Sequence, residues 1–201
     1  MFSGIIESFS EVINVEKEGS NIHFTMTNPF QDEKIYIDQS IAHNGCCLTI
    51  VEIDPKHTWY KVTAIKETLD KTNLGSWKEG TRVNVERCIK ADSRIDGHFV
   101  QGHVDITSTC TEVKTEEGSW YFTFELPDAY NHLIVDKGSI AINGTSLTAI
   151  LDENHENIFK VAIIPYTYEH TNFHQLKSGM KVNLEFDILG KYIAKMNNFR
   201  R

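Results

Sequence analysis

The 201-residue chain lacks most of what would serve a membrane, a metal ion or a nucleic acid. No apolar run is long enough for a signal peptide or a membrane span, and the opening MFSGIIESFS has no basic start, so the sequence predicts a cytoplasmic protein without membrane association. Positive charge is in deficit: 20 Lys and Arg against 28 Asp and Glu leave a formal net charge of -8. Nucleic acid and anionic membrane surfaces both require a basic footprint, so neither is expected as a partner, and a small molecule or a protein is favoured. The four cysteines, Cys46, Cys47, Cys88 and Cys110, have no C-x-x-C spacing. Neither a zinc site nor a redox pair is indicated, and they read as small apolar fillers. A Gly-rich phosphate loop, a G-x-S-x-G elbow and a nucleotide fingerprint are also missing. Chemistry without them rests on scattered polar groups and on the reactivity of the substrate itself.

What the chain does have is a long repetition. SIAHNGCCLTI (40–50) returns as SIAINGTSLTA (139–149), an offset of 99 residues. At that offset Gly19-Ser20 matches Gly118-Ser119, Thr72-Asn73 matches Thr171-Asn172, and Val83-Asn84-Val85-Glu86 matches Val182-Asn183-Leu184-Glu185. Gly4-Ile5-Ile6-Glu7 resembles Gly102-His103-Val104-Asp105 at an offset of 98. Solenoid units recur at 20 to 50 residues or so, which makes this a duplicated domain. Its 40% apolar content suffices for two cores. The seam KADSRIDG (90–97) is polar and aperiodic, which places the domains at 1–97 and 98–201.

Within each copy the apolar residues alternate over short runs, as in Asn21 to Met26 and Trp120 to Phe124, the period of half-buried strands. Asn-Gly and Glu-Gly turns punctuate them. The reading is an all-β fold of two tandem antiparallel barrels, which removes exposed sheet edges. Three stretches look helical: Thr68 to Leu74, Thr167 to Leu176, each opened by a capping Thr, and a tail from Ile188 to Phe199. The tail carries one apolar stripe, Ile188, Tyr192, Ile193 and Met196, without a matching stripe elsewhere, as in helices that dock on another subunit.

Each Asn-Gly turn leads into a strand whose alternate residues share a face: Cys47 with Thr49, and Ser146 with Thr148. Either these residues merely line a barrel strand, or the face borders a pocket where they bond along the edge of a flat polar ligand. His98 and His103 lack further ligands at metal-binding spacing and read as satisfied histidines beside glycine turns, so no metal is expected. A nucleophilic arrangement of His103 with Cys47 stays open, without an identifiable orienting residue. Glu86 reads as a strand-closing carboxylate and Asp187 as an N-cap for the tail helix.

The blocks MFSGIIE (1–7), AHNGCCLT (42–49), KETLDKTNLG (66–75), GHFVQGHVD (97–105), INGTSLT (142–148), IIPYTYEHT (163–171) and NLEFDILGKYIAK (183–195) together resemble the alpha-type riboflavin synthase family over essentially the whole chain. The resemblance implies two six-stranded antiparallel Greek-key barrels and a C-terminal helix that gathers three subunits into a homotrimer. It implies a reaction without a cofactor, in which two molecules of 6,7-dimethyl-8-ribityllumazine dismutate to riboflavin and 5-amino-6-ribitylaminouracil. It further implies that the N-terminal barrel of one subunit faces the C-terminal barrel of a neighbour. Lumazine-carrying fluorescent proteins share the duplicated fold without catalysis and are the alternative; a purely subunit-bridging role is a third reading.

Carried over position by position, the resemblance assigns to the first barrel Gly4, Ile5 and Ile6, with Phe2 beside them, then Cys47, Leu48 and Thr49. To these it adds Thr63, Ala64, Ile65, Lys66, Glu67 and Thr68, and Gly102, His103 and Val104. In the second barrel it assigns Lys137, Ser146, Leu147, Thr148, and Ile164, Pro165, Tyr166, Thr167, Tyr168 and Glu169. The implied catalytic groups are Ser146, Thr148 and Cys47 near the reacting carbons, with His103 assisting proton transfer.

Overall fold

The computed structural model describes residues 1–30, 33–152 and 155–198. The last residue of the expected tail helix, Phe199, lies outside them. In the first half, six strands close into a barrel: β1 (Ser8–Glu18), β2 (Asn21–Thr27), β3 (Ser40–His43), β4 (Cys46–Ile53), β5 (Trp59–Ala64) and β6 (Arg82–Arg87). Their spatial order is β1-β2-β5-β4-β3-β6, all antiparallel, with β6 returning to β1 at Phe9 and Asn84. Strand β2 shows the expected alternation, its Ile22, Phe24 and Met26 buried inside with Tyr60, Val62 and Val85.

The second half follows the same strand plan but as an open sheet, a half-barrel where a second closed barrel is expected, with β7 (Ile106–Glu116), β8 (Ser119–Glu125), β9 (Ser139–Ile142), β10 (Thr145–Thr148), β11 (Ile150–Asp152), β12 (His155–Ile163) and β13 (Lys181–Phe186). The family resemblance implies six strands here, and the structure has seven, in the order β10-β9-β13-β7-β8-β12-β11. The extra one arises because the counterpart of β4 is cut at the buried Ala149, whose carbonyl and amide bond to Lys137 and Gly138. Strand β4 only bulges at the matching place, between Ile50 and Glu52.

The short helices begin earlier than expected. Helix α1 (Lys66–Lys71) and helix α2 (Pro165–His170) start after Ile65 and Ile164, and Pro165 presets the first helical turn. The capping threonines are Thr72 and Thr171 instead, which accept amide bonds at the 3-10 turns Asn73–Ser76 and Asn172–Gln175. A further 3-10 turn at Asp128–Leu133 carries no helical period in the sequence. Helix α3 (Ile188–Asn198) forms as expected, with Asp187 accepting the Leu189 amide. No helix among the described residues is long and apolar enough to cross a membrane.

The halves meet along an asparagine seam. Val83 and Val85 point into the first core, whereas the alternate residues Asn84 and Glu86 point outward and are nonetheless buried, Asn84 against the other half and Glu86 under Ser3 and Gly4. Asn84 donates to the Asn143 carbonyl at 3.0 Å, and Asn183 returns the bond to the Asn44 carbonyl at 2.9 Å. Each also accepts the amide that opens the opposite 3-10 turn, Asn172 or Asn73, at 2.7 Å. The two Asn-Gly turns are tip to tip: a Cβ on Gly45 would lie 2.7 Å from the Gly144 amide, which only two glycines permit.

Candidate functional site

Cys47 and Thr49 leave β4 on its outer face, as Ser146 and Thr148 leave β10. They border the seam side of each barrel and not its interior. What packs on them is the segment that precedes the first strand of one half or the other, and the two segments cross. Gly102 lies against the first half, its carbonyl accepting the Cys47 amide at 2.8 Å; Gly4 lies against the second, accepting the Ser146 amide at 2.8 Å. The grouping of Gly4 with the first barrel is therefore corrected: a Cβ there would sit 2.6 Å from the Ser146 Cβ. Both glycines have φ near +80°, and the close approach of backbone to site strand requires them. Phe2 bridges to Val100 where the segments cross and is wholly buried, close to Gly102 and packed with Cys47.

His98 is not the satisfied histidine expected from sequence. Its Nδ1 lies 2.7 Å from the Ser146 hydroxyl, and its buried Nε2 has no hydrogen-bond partner among the described residues. Burial lowers its pKa, against a raising influence from Asp187, so the ring is neutral at pH 7 and can take a proton. The Cys47 thiol is bonded by Ser40 instead, and burial raises its pKa, which leaves it a neutral thiol and not a ready nucleophile. The His103 ring is exposed and, among the described residues, makes no hydrogen bond to Cys47; its backbone amide is held by Glu185. The cysteines divide: Cys46 and Cys110 are buried fillers, but Cys88 is exposed, beside the Ser40 carbonyl.

The remaining expected residues occupy equivalent places in the two halves. Thr63, Ala64 and Ile65 end β5 and enter α1, with Lys66, Glu67 and Thr68 in its first turn. Ile164 to Glu169 occupy the equivalent place after β12, with Ile164 and Tyr166 largely exposed and Tyr168 stacked 3.9 Å from Trp120. Leu48 faces the first core and Leu147 packs on the second, beneath the outward hydroxyls, and Val104 packs against the first core from its segment. Lys137 has φ of +61° and donates its amide to Ala149; Asp38, at φ of +70°, does the same to Ile50 in the first half. Equivalent turns thus carry residues of opposite charge in the two halves.

Neither carboxylate at the strand ends merely closes a strand. Glu86 accepts the amides of Ser3 and Gly4, and Glu185 those of Gln101, Gly102 and His103. Sequence reading missed these roles because the partners lie more than 80 residues away. Cavities of about 570 and 670 Å³ lie outside the barrels, under α3 beside Ser139 and in the matching place beside Ser40. Among the described residues no cluster of three or more His, Cys, Asp or Glu is arranged to hold a metal.

The sequence profile of the Lumazine binding domain family matches twice, over residues 3–88 and 101–187. The riboflavin synthase of Meyerozyma guilliermondii is 38% identical, covering 97% of this chain and 85% of the relative. The chain belongs to that family. Identity is 34% to the riboflavin synthase of Brucella abortus, with 100% of both chains covered. The crystal structure of LumP complexed with riboflavin shares the fold, with a TM-score of 0.83 over 92% of this chain and 99% of that one at 22% identity.

Proposed function

We propose that the protein is a riboflavin synthase that binds two molecules of 6,7-dimethyl-8-ribityllumazine and transfers a four-carbon unit from one to the other. The products are riboflavin and 5-amino-6-ribitylaminouracil. The observation that carries this reading is the doubled site strand, each copy presenting a short polar pair against a crossing glycine segment, in a chain aligned to riboflavin synthases over nearly its full length. Two like substrates call for two like half-sites.

The chemistry asks for little from the protein. The C7 methyl of the lumazine is acidic because its carbanion delocalises into the ring, so a modest base and donors for the resulting anion suffice. In the second half-site the neutral His98 ring, joined to Ser146, is placed to accept that proton through the hydroxyl, and Asp187 steadies the imidazolium that forms. In the first, the Cys47 thiol and the Thr49 hydroxyl are hydrogen-bonding groups with no strong base among them, and His103 stands at the edge. That difference favours proton abstraction at the second half-site. Joining two bound lumazines makes a bimolecular encounter local, a large entropic gain.

Facing half-sites from neighbouring subunits accord with a homotrimer gathered by α3, and the free thiols suit the cytoplasm. The test is to mix the purified protein with dimethylribityllumazine and follow riboflavin absorbance. Riboflavin formation is expected; tight binding without turnover would instead mark a lumazine carrier.

A further inference from the structure

We infer that the half-sites are controlled crosswise: Glu86, on the last strand of the first barrel, is the positioning residue of the half-site at Ser146, and Glu185, on the last strand of the second, positions the one at Cys47. The inference rests on the reading of these strands as lumazine half-sites.

Both carboxylates are almost fully buried, 4% and 2% exposed, and among the described residues neither makes an ion pair. Burying an acid this way is costly unless its oxygens are fully bonded. Here they are. Glu86 receives the Ser3 amide at 2.7 Å, the Ser3 hydroxyl at 2.8 Å and the Gly4 amide at 3.0 Å. Glu185 receives the Gln101 amide at 2.6 Å and the amides of Gly102 and His103 at 2.9 Å each. Each carboxylate is thus a clamp of three donors on one crossing segment, and charge-assisted bonds of this kind fix geometry tightly.

The segment held is the one that seats the opposite site strand. From the Glu86 clamp, Ser3 offers its carbonyl to the His98 amide at 3.1 Å, and Gly4 offers its carbonyl to Ser146. Both members of the imidazole–hydroxyl pair therefore hang on the segment that Glu86 grips. From the Glu185 clamp, Gly102 offers its carbonyl to Cys47. Because glycine backbone touches site strand directly, with no side chain between to absorb a shift, displacement of either segment moves its site residue. A Gln in place of either Glu keeps the shape but turns one acceptor oxygen into a donor facing an amide N–H, so the grip is lost on one side only.

The test uses full-length Glu86→Gln and Glu185→Gln, with ring signals of His98 and His103 followed by NMR and riboflavin as the probe. Glu86→Gln should shift the His98 signals and weaken the riboflavin response seen there on the order of ten-fold, leaving His103 near wild type; Glu185→Gln should do the reverse. If both variants disturb both histidines alike, the clamps are merely structural and the inference is overturned. Should either Gln variant not fold, Ser3→Ala removes one of the three bonds to Glu86 and should still shift His98 alone; no shift there would overturn it as well. A wild-type protein in which riboflavin moves neither histidine sinks the half-site reading instead, and the ligand-free spectra of the variants still decide the crossing.

Discussion

His98 and Ser146 form a pair within the second half, Nδ1 to Oγ at 2.7 Å, whereas the Cys47 thiol is bonded by the Ser40 hydroxyl. The two half-sites share strand, turn and glycine contact and differ in access to a proton acceptor.

The first prediction follows from that difference. His98→Gln keeps a hydrogen bond to Ser146 but removes the basic nitrogen, so turnover should fall on the order of 100-fold while lumazine binding changes little. Because burial lowers the His98 pKa, the wild-type rate should decline on the acid side with a midpoint below the ordinary histidine value, and the variant should lose that limb. Steady-state rates against pH, with lumazine affinity by fluorescence, check this. Equal loss of turnover and binding would assign His98 to binding alone.

Much of the arrangement was legible from residues alone, and the unread part has a common cause. The offset of 99 announced two halves, and the Asn44-Gly45 and Asn143-Gly144 pairs announced turns that indeed have positive φ at both positions. That Cys47 and Thr49 share one face follows from period two, whereas the outer position of that face is seen only in the folded barrel. Glu86 reads as a strand-closing carboxylate because VNVE looks like an ordinary alternating strand; only the distant segment at Ser3 and Gly4, and for Asn84 the other half, make its outward residues buried. The partner of His98 lies 48 residues away, and no local pattern announces it. Crossing of the segments at Phe2 and Val100 is likewise a property of the assembled pair of barrels.

A second prediction concerns pH and stability in the first core. His43 is wholly buried, its Nδ1 3.0 Å from the Ile41 carbonyl and its Nε2 2.8 Å from the Tyr60 hydroxyl. The carbonyl must be met by Nδ1–H, so Nε2 accepts from Tyr60 and the ring is neutral. Burial lowers its pKa to about 4. The unfolded chain then binds the proton more readily than the folded one, so this contribution is complete above the unfolded value and is lost as pH falls toward 4. Between pH 7 and pH 5 the loss from this group is about 2 kcal/mol. Urea unfolding at both values should show a drop that His43→Gln lessens by about that amount; an unchanged drop would place the acid sensitivity elsewhere.

The seam supplies a third. Asn183→Ala would strip a bond from the Asn44 carbonyl and leave the half-buried Asn73 amide without its acceptor. A cost of about 2 kcal/mol in unfolding free energy is expected. Asn84→Ala removes the mirror pair from Asn143 and Asn172 and should cost a similar amount. Since both residues tie the halves together, a loss confined to one barrel by hydrogen exchange would contradict the assignment.

A fourth turns on what α3 leaves uncovered. Leu189, Tyr192, Ile193 and Met196 are each at least 60% exposed on a helix that packs on the 3-10 turn at Asp128–Leu133 and pairs its Lys191 with Asp105. Four large apolar side chains on one short helix are a poor surface for a monomer and a good one for a subunit contact. If α3 gathers the trimer that the proposed reaction uses, Ile193→Asp should place a charge in that contact and convert the protein to monomers, measurable by light scattering. The half-sites within each chain would survive, so riboflavin binding should persist while turnover falls steeply, because no neighbour remains to present the second lumazine. A monomer that keeps full turnover would mean that one chain brings both substrates together by itself, and the need for facing subunits would fall with it.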